Sequence, residues 1–376
     1  MERIVFVWES FGEYGYLVVA EVVLLVVLGV QWVRRCLVVS RPEKGNGSAE
    51  NEGVSVIITS HNRAEQLRRN LPCFLDQDYP DYEVIVVDEC SEDETEDVLK
   101  ELQRDYPRLR CTRIYPDTKF RFTKKLAINI GVLAAKHDIL LFSEASCRPM
   151  TREWVSRMRA GFDGNTAVVM GLVGDEPSGG RSNFFKVFRM WHFLDMLSAG
   201  KRGCLLGNGC NLAYRKKFYL ENRGFVKNSQ SYLGYDSDIA RDLSRFGESR
   251  VIHDGAAAVI EEQAEYRMER ISEMLYHYAC KLEFPLGKRL CMDLHSIVRL
   301  FFYGGGIFLA IQGVYPLYVM ALLLVMLIVE GVALSACVKC LRQERLLLAS
   351  LLVAVSGFIF HWGMNLYVLF NRSKWK

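Results

Sequence analysis

Long apolar stretches lie at both ends of this chain, and they constrain its fold more than any other feature. Residues 16–33 read YLVVAEVVLLVVLGVQWV, with Glu21 as the single charged side chain, and residues 314–338 and 346–370 are also long and apolar. About 20 consecutive apolar residues are enough to cross a bilayer. Residues 54–293 between them have the mixed composition of a globular domain. The sequence therefore predicts a folded domain between membrane segments.

The charges beside the first apolar stretch predict its orientation. Arg34 and Arg35 follow it directly, whereas residues 1–15 carry three acidic side chains and one basic one. Because Lys and Arg favour the cytoplasmic side, we expect a short leader outside over residues 1–15, and a Gly-, Ser- and Glu-rich linker inside over residues 34–53. A cleaved signal peptide is the alternative, and the acidic leader and missing cleavage site argue against it. Eleven scattered cysteines are typical of free thiols in a reducing compartment.

The apolar segment that precedes the last two stretches is shorter. Residues 294–313 contain three consecutive glycines and follow an amphipathic run, which favours an interfacial or re-entrant segment, with a tilted span as the alternative. Two C-terminal spans would place the tail inside, and three would place it outside. We expect two, residues 314–338 and 346–370, in a multi-pass protein of the inner or plasma membrane with a cytoplasmic main domain.

The central domain alternates short β-branched runs with stretches of helical periodicity, which predicts an α/β fold with a doubly wound, mainly parallel sheet. The predicted strands are Val54–Thr59, Tyr82–Val87, Arg110–Ile114 and Ile139–Phe142, and the predicted helices are Ala64–Leu75, Thr95–Tyr106 and Lys124–Lys136. Polar clusters at residues 59–63, 88–91 and 143–146 follow three of the strands. Because ligands bind beyond the carboxyl ends of such strands, we expect these clusters to line one crevice.

The first half of the domain carries a recognisable pattern. Residues 54–63 read VSVIITSHNR, and residues 77–95 read QDYPDYEVIVVDECSEDET. The pattern resembles the opening of family 2 glycosyltransferases with the GT-A fold, and the likeness continues through residues 124–135, 143–149, 207–217 and 233–243. It implies a membrane-anchored, inverting enzyme of the bacterial cell-envelope type. Such an enzyme transfers a sugar from a nucleotide-diphosphate sugar to a lipid-linked or glycan acceptor, and no basic tract suggests a nucleic-acid partner.

The resemblance assigns donor contacts to three segments. Asp88 and Glu89 would bind the nucleotide, with capping of the next turn as the alternative for Asp88 and a helix cap as the alternative for Asp93. The loop after the first strand would contact the donor through Thr59, Asn62 and Arg63, while His61 would either stack on the base or be merely exposed. Lys124 and Lys125 would meet diphosphate oxygens, and a solvated first helical turn is the alternative.

Residues 143–147 read SEASC, where the family has [ST]-D-A-D-C, whose two carboxylates bind a divalent metal. Glu144 and Ser146 stand at those positions, and both are oxygen donors suited to Mg²⁺ or Mn²⁺. Three interpretations stay open. Glu144 alone holds a weaker metal site, another carboxylate or His253 completes it, or the activity is lost.

The acceptor side is assigned to two further motifs. In YDSDI, which resembles the family's E-D-x-D-L with Tyr235 in place of the Glu, Asp236 matches the family's general base and Asp238 lies two residues later. The structural alternative for Asp236 is N-capping of the next helix, which Ser237 or Asp238 could also supply. Asn208 and Asn211, in GNGCN, would contact phosphate or acceptor hydroxyls, or else cap a loop.

The motif Q-x-x-R-W of processive relatives is missing from SEMLYHYA (residues 272–279), so we expect single-sugar addition. The rival function is a noncatalytic nucleotide-sugar-binding or assembly-partner protein. A membrane nucleotidyltransferase would need a Gly-rich basic loop after the first strand, and residues 59–63 are not Gly-rich.

Overall fold

The computed structural model describes residues 14–41, 52–115, 123–176, 183–200, 206–226, 234–262, 267–341 and 346–371. The chain divides into two compact units. The first comprises residues 1–41, 180–195 and 285–366, and the second comprises residues 42–179, 196–284 and 367–376. Residues 1–13 of the expected leader and residues 42–51 of the expected linker lie outside the described residues.

The second unit is an α/β domain. Its strands are β1 (Val54–Ser60), β2 (Tyr82–Glu89), β3 (Leu109–Ile114), β4 (Ile139–Glu144), β5 (Cys147–Pro149), β6 (Thr166–Gly171), β7 (Val173–Asp175), β8 (Leu212–Arg215), β9 (Glu248–Ile252) and β10 (Val259–Glu261). Its helices, numbered after the α1 helix of the other unit (Gly15–Ser40), are α2 (Ala64–Leu75), α3 (Thr95–Asp105), α4 (Thr123–Ala134), α5 (Trp154–Arg159), α7 (Lys216–Glu221), α8 (Ser237–Leu243) and α9 (Arg267–Lys281). The α6 helix (Asn183–Gly200) begins in the first unit.

Seven strands form the main sheet in the order β3-β2-β1-β4-β8-β6-β9. Strands β1 to β4 are parallel, whereas β8 runs antiparallel to both β4 and β6. A smaller sheet has the order β5-β10-β7. The predicted α/β fold with a mainly parallel sheet is therefore confirmed.

The register of the central strand positions the polar ends. Ser60 of β1 lies opposite Asp88 of β2, and Thr59 lies opposite Glu144 of β4. Every residue of β1 and β2 is buried, as expected for parallel strands covered on both faces. Three polar strand ends therefore reach the same edge of one sheet, as the sequence predicts.

Within the described residues, four helical segments are long and apolar enough to cross a membrane by length and composition: Gly15–Ser40, Leu286–Ile311, Pro316–Cys340 and Leu347–Phe370. The second consists of α10 (Leu286–Met292) and α11 (Leu294–Ile311), and the others are α1, α12 (Pro316–Cys340) and α13 (Leu347–Phe370). Residues expected to be interfacial or re-entrant thus form the continuous helix α11 up to Ile311.

The glycines of α11 allow close helix packing. A Cβ added at Gly305 would lie 1.9 Å from a carboxylate oxygen of Glu21, and one added at Gly306 would lie 2.8 Å from Leu323. Small residues let membrane helices approach closely. These glycines therefore serve packing against α1 and α12, whereas the sequence interpretation took them as a sign of a re-entrant turn.

The α1 helix also extends further than the expected span, to Ser40, which moves the start of the linker beyond residue 34. The physical reason lies in Arg35, whose side chain is buried, forms an ion pair with Asp195 and stacks over the ring of Trp32 at 5.1 Å. A neutralised arginine does not need to end an apolar helix.

A buried ion pair ties α11 to α12. Nη2 of Arg299 lies 2.9 Å from Oε2 of Glu330, and the two side chains are 2% and 1% exposed. The hydroxyl of Tyr303 donates to the same carboxylate at 3.2 Å, and the guanidinium of Arg299 also donates to the carbonyl of Ala354. These charges are paired with each other inside the unit, so they stabilise it only as a pair.

Replacement of one partner tests this pair. We expect Glu330→Leu to lower the free energy of unfolding by about 3 kcal/mol, because it leaves the Arg299 charge buried without its carboxylate. Thermal unfolding of the full chain in detergent measures the loss. The double variant Arg299→Met/Glu330→Leu should recover most of it, and Leu324→Ala, at an exposed position of α12, serves as the control. Wild-type stability of Glu330→Leu would contradict the argument.

Candidate functional site

The carboxyl ends of β1, β2 and β4 meet around one ammonium group. Nζ of Lys124, in the first turn of α4, donates to Oγ1 of Thr59 at 2.6 Å. The same nitrogen lies 3.0 Å from Oε1 of Glu144 and 3.8 Å from Oε1 of Glu89. We call these four residues the Lys124 cluster. It brings together predicted residues from three separate strand ends and one helix.

Tyr235 covers the Lys124 cluster. Its ring centroid lies 5.4 Å from Nζ of Lys124, and its hydroxyl lies 3.5 Å from Oε1 of Glu144. Burial by itself would lower the pKa of Lys124, but the carboxylates of Glu144 and Glu89 outweigh it and raise that pKa. The side chain is therefore an ammonium at neutral pH. A small pocket beside them is lined by Lys124, Glu144 and Tyr235 together with Thr59, Ile57, Phe142 and Gly209.

Asp88 serves the turn that follows β2. Its Oδ1 accepts a hydrogen bond from the N–H of Ser91 at 3.1 Å, and its Oδ2 lies 3.4 Å from Nε of Arg113. The side chain is 2% exposed. The structure thus places Asp88 in the capping role that the sequence offered as the alternative, and nucleotide binding by this carboxylate stays a prediction.

Asn62 and Asp93 hold together the loops after β1 and β2. Asn62, at φ 52°, accepts at Oδ1 from the N–H of Glu92, and its own N–H donates to Oγ of Ser91. Asp93 accepts at Oδ2 from the N–H of Ala64, the first residue of α2. Asp93 therefore caps a helix, as its alternative predicted, and the side-chain oxygen of Asn62 braces the loop.

The other two candidates of this loop are exposed. His61 lies with Nδ1 2.6 Å from the carbonyl oxygen of Glu89, so its ring is fastened to the end of β2. Arg63 directly precedes α2 and faces solvent. Exposure leaves Arg63 accessible to an anionic ligand, and its donor contact stays a prediction.

Asp236 is held by three hydrogen-bond donors. Its Oδ1 accepts from the N–H of Ser237 and, at 2.8 Å, from the hydroxyl of Tyr276, while its Oδ2 accepts from the N–H of Gly209 at 3.3 Å. Asp236 is itself the N-cap of α8. The structure thus gives Asp236 the capping role that the sequence offered as the alternative, while Ser237 and Asp238 lie inside the helix. The role of Asp236 as general base stays a prediction.

The surroundings of Asp236 alter its acidity. Burial raises its pKa, and the positive potential of His277 with the hydrogen bonds of Tyr276, Ser237 and Gly209 opposes part of that shift. A carboxyl whose pKa moves from the ordinary range towards neutrality is a better proton acceptor.

Lys125 lies on the Asp236 side of α4, away from the Lys124 cluster. Burial lowers the pKa of Lys125, and the negative charges of Asp238 and Asp236 act in the opposite direction. Asp238 pairs with Arg241 at 3.0 Å, and burial raises the pKa of its carboxyl. The two neighbouring lysines, predicted as one diphosphate contact, therefore belong to two separate groups of charges.

The two asparagines of the GNGCN segment differ. Asn208 accepts from the N–H of Cys210 at 3.0 Å and so caps its own loop. Asn211 is fully buried, donating to the carbonyls of Leu172 and Ala257 and accepting from Nε1 of Trp154. Both donors and the acceptor of Asn211 are used inside the domain, so its predicted role in substrate binding is wrong.

The glycines of this segment are required by close contacts. A Cβ at Gly207 would lie 2.5 Å from the carbonyl oxygen of Asp236, and one at Gly209 would lie 2.7 Å from the ring of Tyr235. Gly209 also lies beside Glu144, 3.6 Å from its Oε1 on the same measure. The loop therefore passes between Asp236 and the Lys124 cluster.

The Lys124 cluster offers some of the oxygen ligands that a divalent cation needs. Glu144 and Glu89 both lie within ion-pair distance of Nζ of Lys124, a stand-in cation surrounded by oxygen atoms. The hydroxyl of Ser146 lies 3.9 Å from Sγ of the adjacent Cys147, and its place in a metal site stays a prediction.

The number of metal-ligating side chains at this site determines which cation it can hold. In the part of the chain that the structure describes, no three His, Cys, Asp or Glu side chains gather to hold a metal, and so His253 does not complete such a group. Mg²⁺ commonly takes one or two carboxylates together with substrate phosphates and water. Two glutamates fit a cation that is bound together with a phosphate-bearing donor.

Tyr276 and the Glu89–Lys124 contact were not predicted from the sequence. Tyr276 lies 40 residues beyond Asp236, in the segment inspected only for Q-x-x-R-W, and no local pattern marks it. Its hydroxyl also accepts from the N–H of Gly234 at 3.2 Å, which fixes the loop before Asp236.

Comparison with known proteins identifies the domain. Residues 55–221 match the family described as Glycosyl transferase family 2. The Glycosyltransferase AglE of Haloferax volcanii is 31% identical over 106 residues, which are 28% of this chain and 33% of that protein. A Methanococcus voltae protein named dolichyl N-acetyl-alpha-D-glucosaminyl phosphate 3-beta-D-2,3-diacetamido-2,3-dideoxy-beta-D-glucuronosyltransferase is 32% identical over 98 residues, 26% of this chain and 30% of that protein. The chain thus matches about a third of the length of these relatives.

One solved structure shares the architecture. The mannosyltransferase PcManGT from Pyrobaculum calidifontis, in complex with GDP-Man and Mn²⁺, superposes with a TM-score of 0.54 at 17% identity, over 90% of this chain and 99% of that one. This likeness concerns the fold. The chain is therefore similar to the family 2 glycosyltransferases over residues 55–221, and its central domain has the GT-A fold.

Proposed function

We propose that the chain transfers one sugar at a time from a nucleoside-diphosphate sugar to a hydroxyl of a lipid-linked or glycan acceptor, with inversion at the anomeric carbon. The single observation that carries this proposal is the arrangement around Gly209. The N–H of this residue donates to the carboxylate of Asp236, and its Cα lies beside Tyr235 and Glu144. A buried base and a cation-bearing strand edge therefore flank one short loop.

Asp236 would act as the general base. Its Oδ1 receives two hydrogen bonds, whereas its Oδ2 receives one at 3.3 Å, which leaves Oδ2 the better placed atom to accept a proton. The acceptor hydroxyl loses its proton to this oxygen as its own oxygen attacks the anomeric carbon. Direct attack opposite the leaving group gives inversion.

The leaving nucleoside diphosphate takes the electrons of the broken bond, and its oxygens need positive charge nearby. Lys124 supplies an ammonium at the strand edge, and exposed Arg63 lies in the loop after β1. A divalent cation held by Glu144 and Glu89 would add further charge neutralisation when bound. The nucleotide itself would contact Thr59 and Asp88.

The acceptor and the location follow from different observations. A relative whose name includes a dolichyl phosphate-linked sugar supports a lipid-linked acceptor, and four helices of suitable length support attachment to a membrane. With Arg34 and Arg35 at the end of the first span, we place the domain on the cytoplasmic side. If Leu286–Ile311 crosses as well, there are three C-terminal spans and the tail lies outside.

Removal of the base is the first test. We expect Asp236→Asn to lower the transfer rate by about a thousandfold, because an amide cannot accept the proton. The full chain in detergent would be assayed with panels of UDP- and GDP-sugars, and nucleotide binding by calorimetry should be retained. Asp242→Asn, on the same helix, is the matched control and should transfer normally. Retained transfer in Asp236→Asn would refute this role for Asp236.

The same assays separate the rival function. A noncatalytic relative would bind nucleotides through the wild-type domain and transfer no sugar from any donor. The Lys124–Glu144 ion pair, which fills the expected cation position, is the observation that favours this alternative.

The hydroxyl of Tyr276 provides a test through pH. Its hydrogen bond favours the ionised form of Asp236, so Tyr276→Phe should raise the pKa of this carboxyl further. Transfer requires the carboxylate and is lost as the pH falls through that pKa. The acidic limb of the kcat/KM profile should therefore move to higher pH, by about one unit for one hydrogen bond.

The other groups that face Asp236 are Lys125, His277 and Cys280, and Tyr276→Phe leaves all three in place. Tyr278→Phe removes a buried hydroxyl from the same helix and should leave the limb unchanged. An unshifted limb in Tyr276→Phe would show that its hydroxyl does not tune the base.

A further inference from the structure

The ammonium of Lys124 stands at a point lined by oxygen atoms. A hydroxyl oxygen of Thr59 lies at 2.6 Å, and carboxylate oxygens of Glu144 and Glu89 lie at 3.0 Å and 3.8 Å. Hydroxyl and carboxylate oxygens are also the ligands that Mg²⁺ and Mn²⁺ prefer. The ammonium of Lys124, a monovalent cation, therefore occupies the place that a divalent cation would take.

Charge balance distinguishes a permanent occupant from a temporary one. Two carboxylates and one ammonium leave a net charge of −1 in the Lys124 cluster. A nucleoside diphosphate brought beside that charge would be repelled. A divalent cation between the same two carboxylates neutralises both of them and frees the ammonium, which can then meet the phosphate oxygens.

The neighbouring cations have other partners. Arg113 pairs with Asp88 and Glu96, and Lys125 lies in the field of Asp238 and Asp236. The aliphatic stem of Lys124 is flexible, and its side chain is 26% exposed. It can leave the carboxylates without breaking the strand edge, provided that the ring of Tyr235 above it yields.

We propose that Lys124 is the resident counter-ion of the divalent-cation position, and that it withdraws from Glu144 and Glu89 when a divalent cation arrives. The inference rests on the proposed use of a nucleoside-diphosphate donor. In this arrangement the ammonium of Lys124 offsets the repulsion between the two carboxylates while no donor is bound. It becomes available to the diphosphate only after a divalent cation has replaced it.

Affinity for Mn²⁺ tests the exchange. Electron paramagnetic resonance would measure the concentration of free Mn²⁺ in solutions of the full chain in detergent. We expect Lys124→Met to bind Mn²⁺ about tenfold more tightly than the wild type, because the competing charge is gone. Lys124→Arg, which keeps a cation, and Lys125→Met, which removes one at the next position, should stay near wild type. Glu144→Gln should bind weakly.

Two outcomes would overturn the proposal. Unchanged or weaker Mn²⁺ binding by Lys124→Met would show that the lysine does not compete for the position. Equal tightening in Lys125→Met would show that only the overall charge matters.

A second measurement uses the wild-type protein, in case Lys124→Met does not fold. Amine acylation, followed residue by residue with mass spectrometry, should label Lys124 faster once Mn²⁺ is added, since the ammonium leaves its carboxylates. The labelling of Lys125 should not change. An unchanged or slower reaction at Lys124 would contradict the exchange.

These readouts do not depend on sugar transfer. Suppose that no donor sugar is transferred, but Lys124→Met binds Mn²⁺ more tightly and Mn²⁺ releases Lys124 in the wild type. The proposed function then fails and the exchange stands. If transfer occurs while Lys124 neither competes with nor responds to Mn²⁺, the function stands and the exchange fails.

Discussion

The parallel register of β1 with β2 and β4 is the constraint on which the site depends. It brings the ends of three strands to one edge, and with them the carboxylates of Glu89 and Glu144. Such carboxylates, largely removed from water, would repel each other if they stood alone. Lys124, delivered by the first turn of α4, offsets that repulsion within 3.8 Å of both. The site and the strand edge are therefore stabilised by the same ammonium.

Much of this architecture was predictable because it is local. Strand and helix periodicity placed the first elements of the domain to within about two residues, and β4 differs mainly in continuing to Glu144. Side chains whose partners are distant in sequence could not be assigned. Asn211 sits in a glycine-rich segment that resembles a ligand loop, yet its three partners, Trp154, Leu172 and Ala257, lie 39 to 57 residues away.

In the apolar unit, too, contacts between residues distant in sequence could not be predicted. Hydropathy locates its helices, but charged residues inside them were taken to mark where spans end. Arg35 continues a helix because Asp195 neutralises it, and Arg299 is accommodated because Glu330 does so. Gly305 and Gly306 lie inside a continuous helix and make room for Glu21 and Leu323. Whether a charge or a glycine ends a helix depends on its neighbour in space, which a single sequence does not state.

The departures from the family pattern are coordinated in charge. Ser146 stands where the family's metal motif has its second carboxylate, and Tyr235 stands where the family's E-D-x-D-L motif has its Glu. Each substitution removes one negative charge, and Tyr235 in addition lays its ring over Lys124. Glu89 is then left to accompany Glu144, and one ammonium can hold both in the absence of a donor. A fuller set of carboxylates would leave Lys124 heavily outnumbered. The altered motif is therefore better explained as a site rebuilt around an internal cation than as one that has merely lost a ligand.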